Sequence, residues 1–308
     1  MSALVVKDNA LINASFNLEL VEQRLILLAI IEARETGQGI NANDSLTVHA
    51  NSYIKTFNVE RQSAYISLKN ACKELFNRQF SFQEKSEKGN IINQTSRWVS
   101  QIGYIDNEAK VQLIFAPAVV PLITRLEERF TTYDLEQVAL LASKYSIRLY
   151  EILVSWRSTG ETPIYSIDDF RKKLGLDCKE YAAMSDFKKY VLDKAIAQIN
   201  MHTNINVSYQ QYKNGRSICG FSFNLKQKKN TSSKAIKSKN PSDYFSKITD
   251  PQRHLFANKL SRLPEMSIYS QGTESFEQFA VRIAEMLKDS KKFEELFPYL
   301  QKVGFTTA

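Results

Sequence analysis

Apolar residues recur at helical spacing through VEQRLILLAIIEAR, residues 21–34, and the glycines of the TGQG that follows predict where that helix ends. SLTVHA, 45–50, alternates apolar and polar positions and predicts a strand with one buried face. NSYIKTFN then predicts a short helix, and ERQSAYISLKNACKELFN, 60–77, a long one with Leu68, Ala71, Cys72 and Leu75 inward. RQFSFQ and the stretch from Arg97 to Phe115 read as strands, the first turning through EKGN. The order is strand, short helix, long helix, β-hairpin.

That order returns. After the Pro-bounded APAVVPLITRLEERF, a helix pair is expected from about Leu135 to Arg157, followed by the strand TPIYSI at 162–167 and the short helix IDDFRKKLGL ending at Gly175. SDFKKYVLDKAIAQIN, 185–200, is the second long helix, with Ser185 as its expected N-cap. At 100° per residue Phe187, Val191, Leu192, Ala195, Ile196 and Ile199 share one arc, while Lys189, Tyr190, Asp193, Lys194 and Ala197 share the other. NINVSYQQY and SICGFSFNL flank KNGR, where Asn214-Gly215 predicts a hairpin with a type I′ turn. Leu68, Ala71 and Leu75 match Leu192, Ala195 and Ile199 at one offset of 124 positions, so the module reads as duplicated. Strand, helix, turn, helix, hairpin is the winged-helix pattern, whose second helix enters the DNA major groove.

The expected fold class is therefore α+β, with two tandem winged-helix domains followed by a small helical C-terminal region. The first domain is placed at 1–129 and the second at 130–226. KQKKNTSSKAIKSK, 226–239, holds six lysines and no acid, which marks 227–240 as a flexible basic linker. Within 241–308, YFSKITDPQRHLFANKL and ESFEQFAVRIAEMLKD are expected to be helical, and their sequence assigns them no role.

Charge sharpens the picture. The chain of 308 residues has a net charge of +8, but residues 11–130 balance 13 basic against 13 acidic side chains, whereas 131–229 carry 15 against 10 and 230–308 carry 12 against 9. The basic excess begins with the second module, as expected of a polyanion contact. Cys72, Cys178 and Cys219 form no CxxC pair, which argues against a disulfide framework or zinc site and fits a cytoplasmic protein. LILLAII, 25–31, is too short to span a bilayer, and no membrane partner is expected.

No GxxxxGK[ST], GxGxxG or HExxH occurs, and His49, His202 and His254 stand apart, so neither catalysis nor a cofactor or metal is expected. A nicking tyrosine would need a metal site that no His-x-His supplies. The candidate DNA contacts of the second module are Lys189, Tyr190, Lys194 and Asn200 on the helix and Lys213 and Arg216 at the wing tip. Lys188 projects into the apolar arc and is expected to snorkel toward a phosphate. Ser67, Asn70 and Lys73 are the candidates in the first module, where exposed Ile66 hints at a protein contact; that module either binds DNA or forms a dimer. A merely solvated helix face and a merely soluble hairpin turn are the plainer readings of the same residues.

Three stretches, NALINASFNLELVEQRLILLAI, FTTYDLEQVALLASKYSIRLYEIL, and SIDDFRKKLGL with MSDFKKYVLDKAIAQIN, resemble the theta-type plasmid replication initiators with tandem winged helices, over about residues 4–226. The C-terminal part resembles the extra domain of some Acinetobacter-type plasmid initiators. Lys194 stands where many relatives carry proline. The resemblance implies monomers that bind double-stranded DNA at direct repeats (iterons) in the origin, promote opening of an AT-rich segment and help load the host helicase alongside host initiator proteins. It also implies homodimers, joined through the first module, that bind an operator and repress their own gene. A winged-helix transcriptional regulator without a replication role is the alternative.

Overall fold

Each periodic stretch becomes an element because a cap or turn stops it. β1 (Leu4–Asp8) leads into α1 (Asn9–Asn13), where the Asp8 carboxylate accepts from the Ala10 N–H at 2.6 Å. After β2 (Ser15–Phe16), α2 (Leu20–Thr36) opens with a reciprocal Glu19–Glu22 capping box. β3 (Leu46–His49), α3 (Ala50–Phe57) and α4 (Arg61–Leu75) follow, α4 being capped by the Glu60 carboxylate, which accepts from the Gln62 and Ser63 N–H groups. Then come β4 (Gln79–Lys85), β5 (Ile91–Arg97), β6 (Val99–Ile105), β7 (Lys110–Phe115), α5 (Val119–Thr124) and β8 (Phe130–Asp134). The chain continues through α6 (Glu136–Ala139), α7 (Lys144–Val154), β9 (Tyr165–Ser166) and α8 (Ile167–Lys173). A continuous helix, α9 (184–202), is built of Met184–Asp186, a π-helical Phe187–Leu192 and Asp193–His202, and β10 (Ile205–Asn214) and β11 (Ser217–Gln227) complete the series.

The computed structural model describes residues 3–41, 43–86, 88–124, 130–177, 179–228, 245, 248–269, 275–303 and 305. They belong to two compact units, Met1–Lys229 and Asn230–Ala308. Most of the expected linker, and the whole stretch 125–129 beside the expected domain division, lie outside the described residues.

In the first unit the duplication is topological. β3 pairs with β7 and β7 with β6; β9 pairs with β11 and β11 with β10, all antiparallel. Each sheet is preceded by a helix (α2 or α7) and receives a helix pair (α3–α4 or α8–α9) between its first strand and its hairpin. The residues matched at the 124-position offset are buried in both copies, from Leu68 and Leu75 to Leu192 and Ile199. Burying a leucine or isoleucine side chain stabilises by about 1.5–3 kcal/mol, so these positions hold both long helices down.

The structure departs from the sequence expectations at several points. β4–β5 is an additional hairpin, inserted between α4 and the wing β6–β7, and it pairs with β2 rather than β3. Trp98 anchors it, fully buried with its ring 4.9 Å from Phe16 and 5.0 Å from Phe80. β1 and β8 form a separate antiparallel pair, Leu4 opposite Asp134 through Asp8 opposite Phe130, which joins the first described strand to the stretch just before α6. α9 starts at Met184 after an extended Ala183 that makes no side-chain cap, so Ser185 is not its N-cap. The second wing turns through Gly215 and Arg216, with Asn214 paired to Ser217 and a positive φ (63°) at Gly215 alone. That is the type II′ signature, in place of the expected type I′ centred on Asn214-Gly215.

Within the second unit, α10 (Asp250–Leu260) starts later than the expected helical stretch from 244, after an extended Thr249, and α11 (Phe276–Met286) falls inside its expected stretch, each with a capping box, Thr249–Gln252 and Ser275–Gln278. α12 (Ser290–Lys302) completes a core that includes Phe256, Leu260, Ile283, Phe293, Leu296 and Leu300.

Burial separates the cysteines chemically. Cys72 on α4 is 5% exposed, and burial pushes its thiol up to about 12, whereas Cys219 on β11 is exposed. At pH 8 the Cys72 thiolate is rarer than that of an ordinary cysteine by roughly three orders of magnitude. Native protein is expected to be alkylated at Cys219 and spared at Cys72 until denaturant is added, as peptide mass spectrometry of iodoacetamide-treated samples would reveal.

Candidate nucleic-acid interface

The inner face of α9 is the one its periodicity predicts. Phe187, Val191, Leu192, Ala195 and Ile199 are buried and Ile196 is half-buried, leaving Lys189, Tyr190, Asp193, Lys194 and Ala197 exposed. The π turn at 187–192, closed by the Asp193 N–H donating to the Lys188 carbonyl, takes in one extra residue and shifts the phase of what precedes it. Lys188 accordingly leaves the apolar arc. It is half-buried beside β10, donating to Gln211 Oε1 at 3.0 Å and lying 5.8 Å from the Tyr209 ring.

Two further contacts tie this flank of α9 to the wing. The Tyr209 hydroxyl donates to Asp193 at 2.9 Å; burial, then the Asp193 carboxylate, pushes the phenol up to about 12, so it stays a donor. Asn200 turns both ends of its amide to β10, donating from Nδ2 to the Val207 carbonyl at 2.9 Å and accepting from the Val207 N–H at 2.6 Å. The expected DNA contact Asn200 therefore already has one N–H and its carbonyl oxygen engaged by backbone, so a bidentate contact to adenine would require these bonds to break. The helix C-terminus is closed by Lys228, whose ammonium donates to the carbonyls of Asn200 and Thr203.

On the outer face the Lys189 and Lys194 ammoniums lie 5.0 and 5.2 Å from the Tyr190 ring centroid, one on each side along the helix. Lys213 and Arg216 are exposed at the tip of the β10–β11 wing, Lys213 next to a register shift and Arg216 in the turn. Helix face and wing tip of one module thus present four cations.

The first module offers a different surface. Asn70 and Lys73 are exposed on α4 and Ser67 is half-buried, with Ile66 57% exposed between them. The turn of its wing is acidic, and Asp106 and Glu108 pair with Lys69 at 2.8 Å and Lys110 at 2.6 Å. It lacks the basic tip of the second wing.

Sequence reasoning missed the connection between α8 and α9. The Arg171 guanidinium donates to the carbonyls of Asp177 (3.1 Å), Glu180 and Tyr181 (3.0 Å), and it lies over the Phe187 ring. The result fixes Tyr181 with a φ of 47° and its ring 6.2 Å from both Tyr145 and Tyr190. The only available signal was Arg171 itself, the one arginine in a run of lysines.

Among the described residues no three His, Cys, Asp or Glu side chains gather in a metal-binding group, and no helix is long and apolar enough to cross a membrane.

Two copies of one strand-helix-helix-hairpin unit in a single compact body define a tandem winged-helix protein. Residues 4–154 match the family model described as initiator replication protein, WH1, and residues 166–225 the one described as initiator Rep protein, WH2. The chain belongs to the family of winged-helix plasmid replication initiators. A "Replication initiation protein" from Escherichia coli is 28% identical over 213 residues, which cover 67% of this chain and 65% of that one, so the chain spans less than two thirds of that relative. The structure of a Pi initiator protein in complex with iteron DNA, 22% identical, superposes over 74% of this chain and 99% of that chain with a TM-score of 0.60, and it shares the fold. The WH1 domain of MSBI1.176, a replication protein isolated from a multiple sclerosis patient, is 74% identical over 40% of this chain and 92% of that one, with a TM-score of 0.33.

Proposed function

We propose that this protein initiates plasmid replication by binding direct repeats, iterons, in the double-stranded DNA of an origin. The observation that carries the reading is the cationic face of α9 and its wing: Lys189 and Lys194 beside Tyr190, with Lys213 and Arg216 on the hairpin of the same module. α9 lies in the major groove and the wing tip meets the backbone. The division of labour follows charge, with 130–226 as the main reader and 1–129, whose wing turn is acidic, contributing Ser67, Asn70 and Lys73 or serving as the homodimer interface. Residues 227–240 act as a basic linker, and 241–308 form a separate helical domain.

The work is done by gripping, without bond chemistry, in the cytoplasm. Bound copies strain the duplex and promote opening of an adjacent AT-rich segment, where host helicase and initiator proteins are recruited. As a dimer the protein represses its own gene. The test is footprinting on the replicon that encodes it: protection of tandem direct repeats with both strands intact supports initiation, and protection of an operator alone supports a transcriptional regulator.

Lys189→Ala and Lys194→Ala should each weaken binding while leaving the unfolding midpoint unchanged. A lysine on a phosphate lowers the slope of log K against log salt by about one, and a lysine on a base costs about 1–3 kcal/mol at one site position. Fluorescence anisotropy titrations at several salt concentrations distinguish the two.

A further inference from the structure

We propose that Tyr181 and Tyr190 together form a seat for the 5-methyl group of a thymine, so that this protein recognises its site in part through a methyl contact. The inference rests on α9 lying in the major groove, and it adds what the helix reads there.

α9 has few polar groups left to read with. Between residues 184 and 202 there is no arginine. Asn200 is paired with Val207 through both its Nδ2 and its Oδ1, Gln198 turns its Oε1 to the Ala142 N–H at 3.0 Å, and Lys188 is bonded to Gln211. A guanidinium contact to guanine is therefore not available from this helix, and a bidentate amide contact to adenine would require Asn200 or Gln198 to give up a bond it already makes. Among the groups that face outward, with Asp193, Ala197 and Met201, are two ammoniums beside an aromatic surface, Tyr190 at 41% exposure and Tyr181 at 37%. In the major groove of a duplex the stacked bases hide their faces, and the one apolar group offered at a base edge is the thymine methyl.

The seat is also built in advance. A φ of 47° is uncommon for a bulky residue and raises the energy of the loop, and such outliers cluster at functional sites. Here the three carbonyl contacts of Arg171 hold the strained segment, and the Tyr181 ring stands 6.2 Å from both the Tyr145 and the Tyr190 ring. The Lys189 and Lys194 ammoniums lie 5.0 and 5.2 Å from the Tyr190 ring and flank the seat without forming it. Tyr190 supplies the contact, and Tyr181 backs it and widens the apolar surface.

The experiment replaces thymine by deoxyuridine, one position at a time, in the duplex that the footprint defines; this deletes the methyl and nothing else. Wild-type protein should lose about fourfold in affinity at one thymine, the worth of one methyl removed from water. Tyr190→Ala should bind the thymine and uracil duplexes equally, Tyr190→Phe should keep the difference, and Tyr181→Asn, which suits a left-handed backbone, should reduce it. Lys194→Ala should weaken binding to both duplexes and preserve their ratio. If no thymine is sensitive, or if Tyr190→Ala keeps the full difference, the proposal fails. When Lys189→Ala and Lys194→Ala still weaken binding in that case, the groove reading stands without it; when they do not, both fail.

Discussion

Glu151→Ala should destabilise the first unit by about 3–5 kcal/mol in urea titrations at pH 7, the loss expected when one partner of a buried ion pair is removed. The Glu151 side chain is 2% exposed and receives three donors: Lys7 Nζ at 2.6 Å, the Tyr133 hydroxyl at 2.5 Å and Arg148 Nη1 at 3.2 Å. Arg148 in turn donates to the carbonyls of Ile12 (2.8 Å), Ala14 (2.7 Å) and Lys173 (3.0 Å), and its guanidinium lies 4.0 Å from the Phe16 ring. One carboxylate on α7 therefore anchors β1, β8, the α1–β2 corner and the end of α8. Alanine would strand two cations away from water. Lys7→Met should cost less, because the carboxylate keeps Arg148 and Tyr133. Burial pushes the Glu151 carboxyl up, but Lys7 and Arg148 outweigh it and hold the group below its usual range. A depressed folded value means that this stabilisation is present above the unfolded pKa of about 4.3 and disappears as the pH falls through the lower folded value. The gap between wild type and Glu151→Ala should accordingly close in acid, and an equal gap at pH 7 and pH 2 would show that the charge is not what matters.

This network also marks where sequence reading stops. The long helices were legible because a 3.6-residue period, a cap and a terminating turn all agree, as at α2 with its Glu19–Glu22 box. The offset of 124 survived because the matched positions are core positions in both copies. Lys7, Arg148 and Glu151 were not legible as core, since an isolated charged residue reads as surface until its partners, more than 130 positions away in the case of Lys7 and Glu151, are known. The pairing of the β4–β5 hairpin is not legible for a related reason: period-2 alternation gives a strand's faces but not its neighbour, and pairing with β2 depends on Trp98 and Phe16 meeting. At the candidate interface, the exposure of Lys189, Tyr190 and Lys194 follows from helical phase, whereas the partners of Lys188 and Asn200 do not. Lys188 depends on a π turn that no periodicity encodes, and Asn200 on a backbone partner in the next strand.

The same junction yields a prediction that separates stability from recognition. Gly175, just after α8, has a φ of 75°, and a Cβ there would stand 2.1 Å from the Phe16 carbonyl oxygen and 3.2 Å from Asn17 Cα. Gly175→Ala should cost about 1–2 kcal/mol for the left-handed backbone and about 1–3 kcal/mol more for the displacement, since the clashing atom is backbone and cannot rotate away. Thermal unfolding should report the sum. The close approach also holds the second module's helix pair against residues 13–17, together with Ser15 Oγ donating to the Lys172 carbonyl at 3.0 Å and Lys173 Nζ reaching Asn13 Oδ1 at 3.2 Å. If the two modules grip one duplex, loosening this seam lets α4 and α9 fall out of register. Gly175→Ala, assayed well below its melting temperature, should then lose at least about tenfold on the full site by forfeiting part of the linked-site advantage, while a duplex short enough for α9 alone is bound as before. Lys194→Ala should show the reverse pattern, weaker on both duplexes at unchanged stability. Equal losses from Gly175→Ala on the long and short duplexes would mean that the first module does not share the grip.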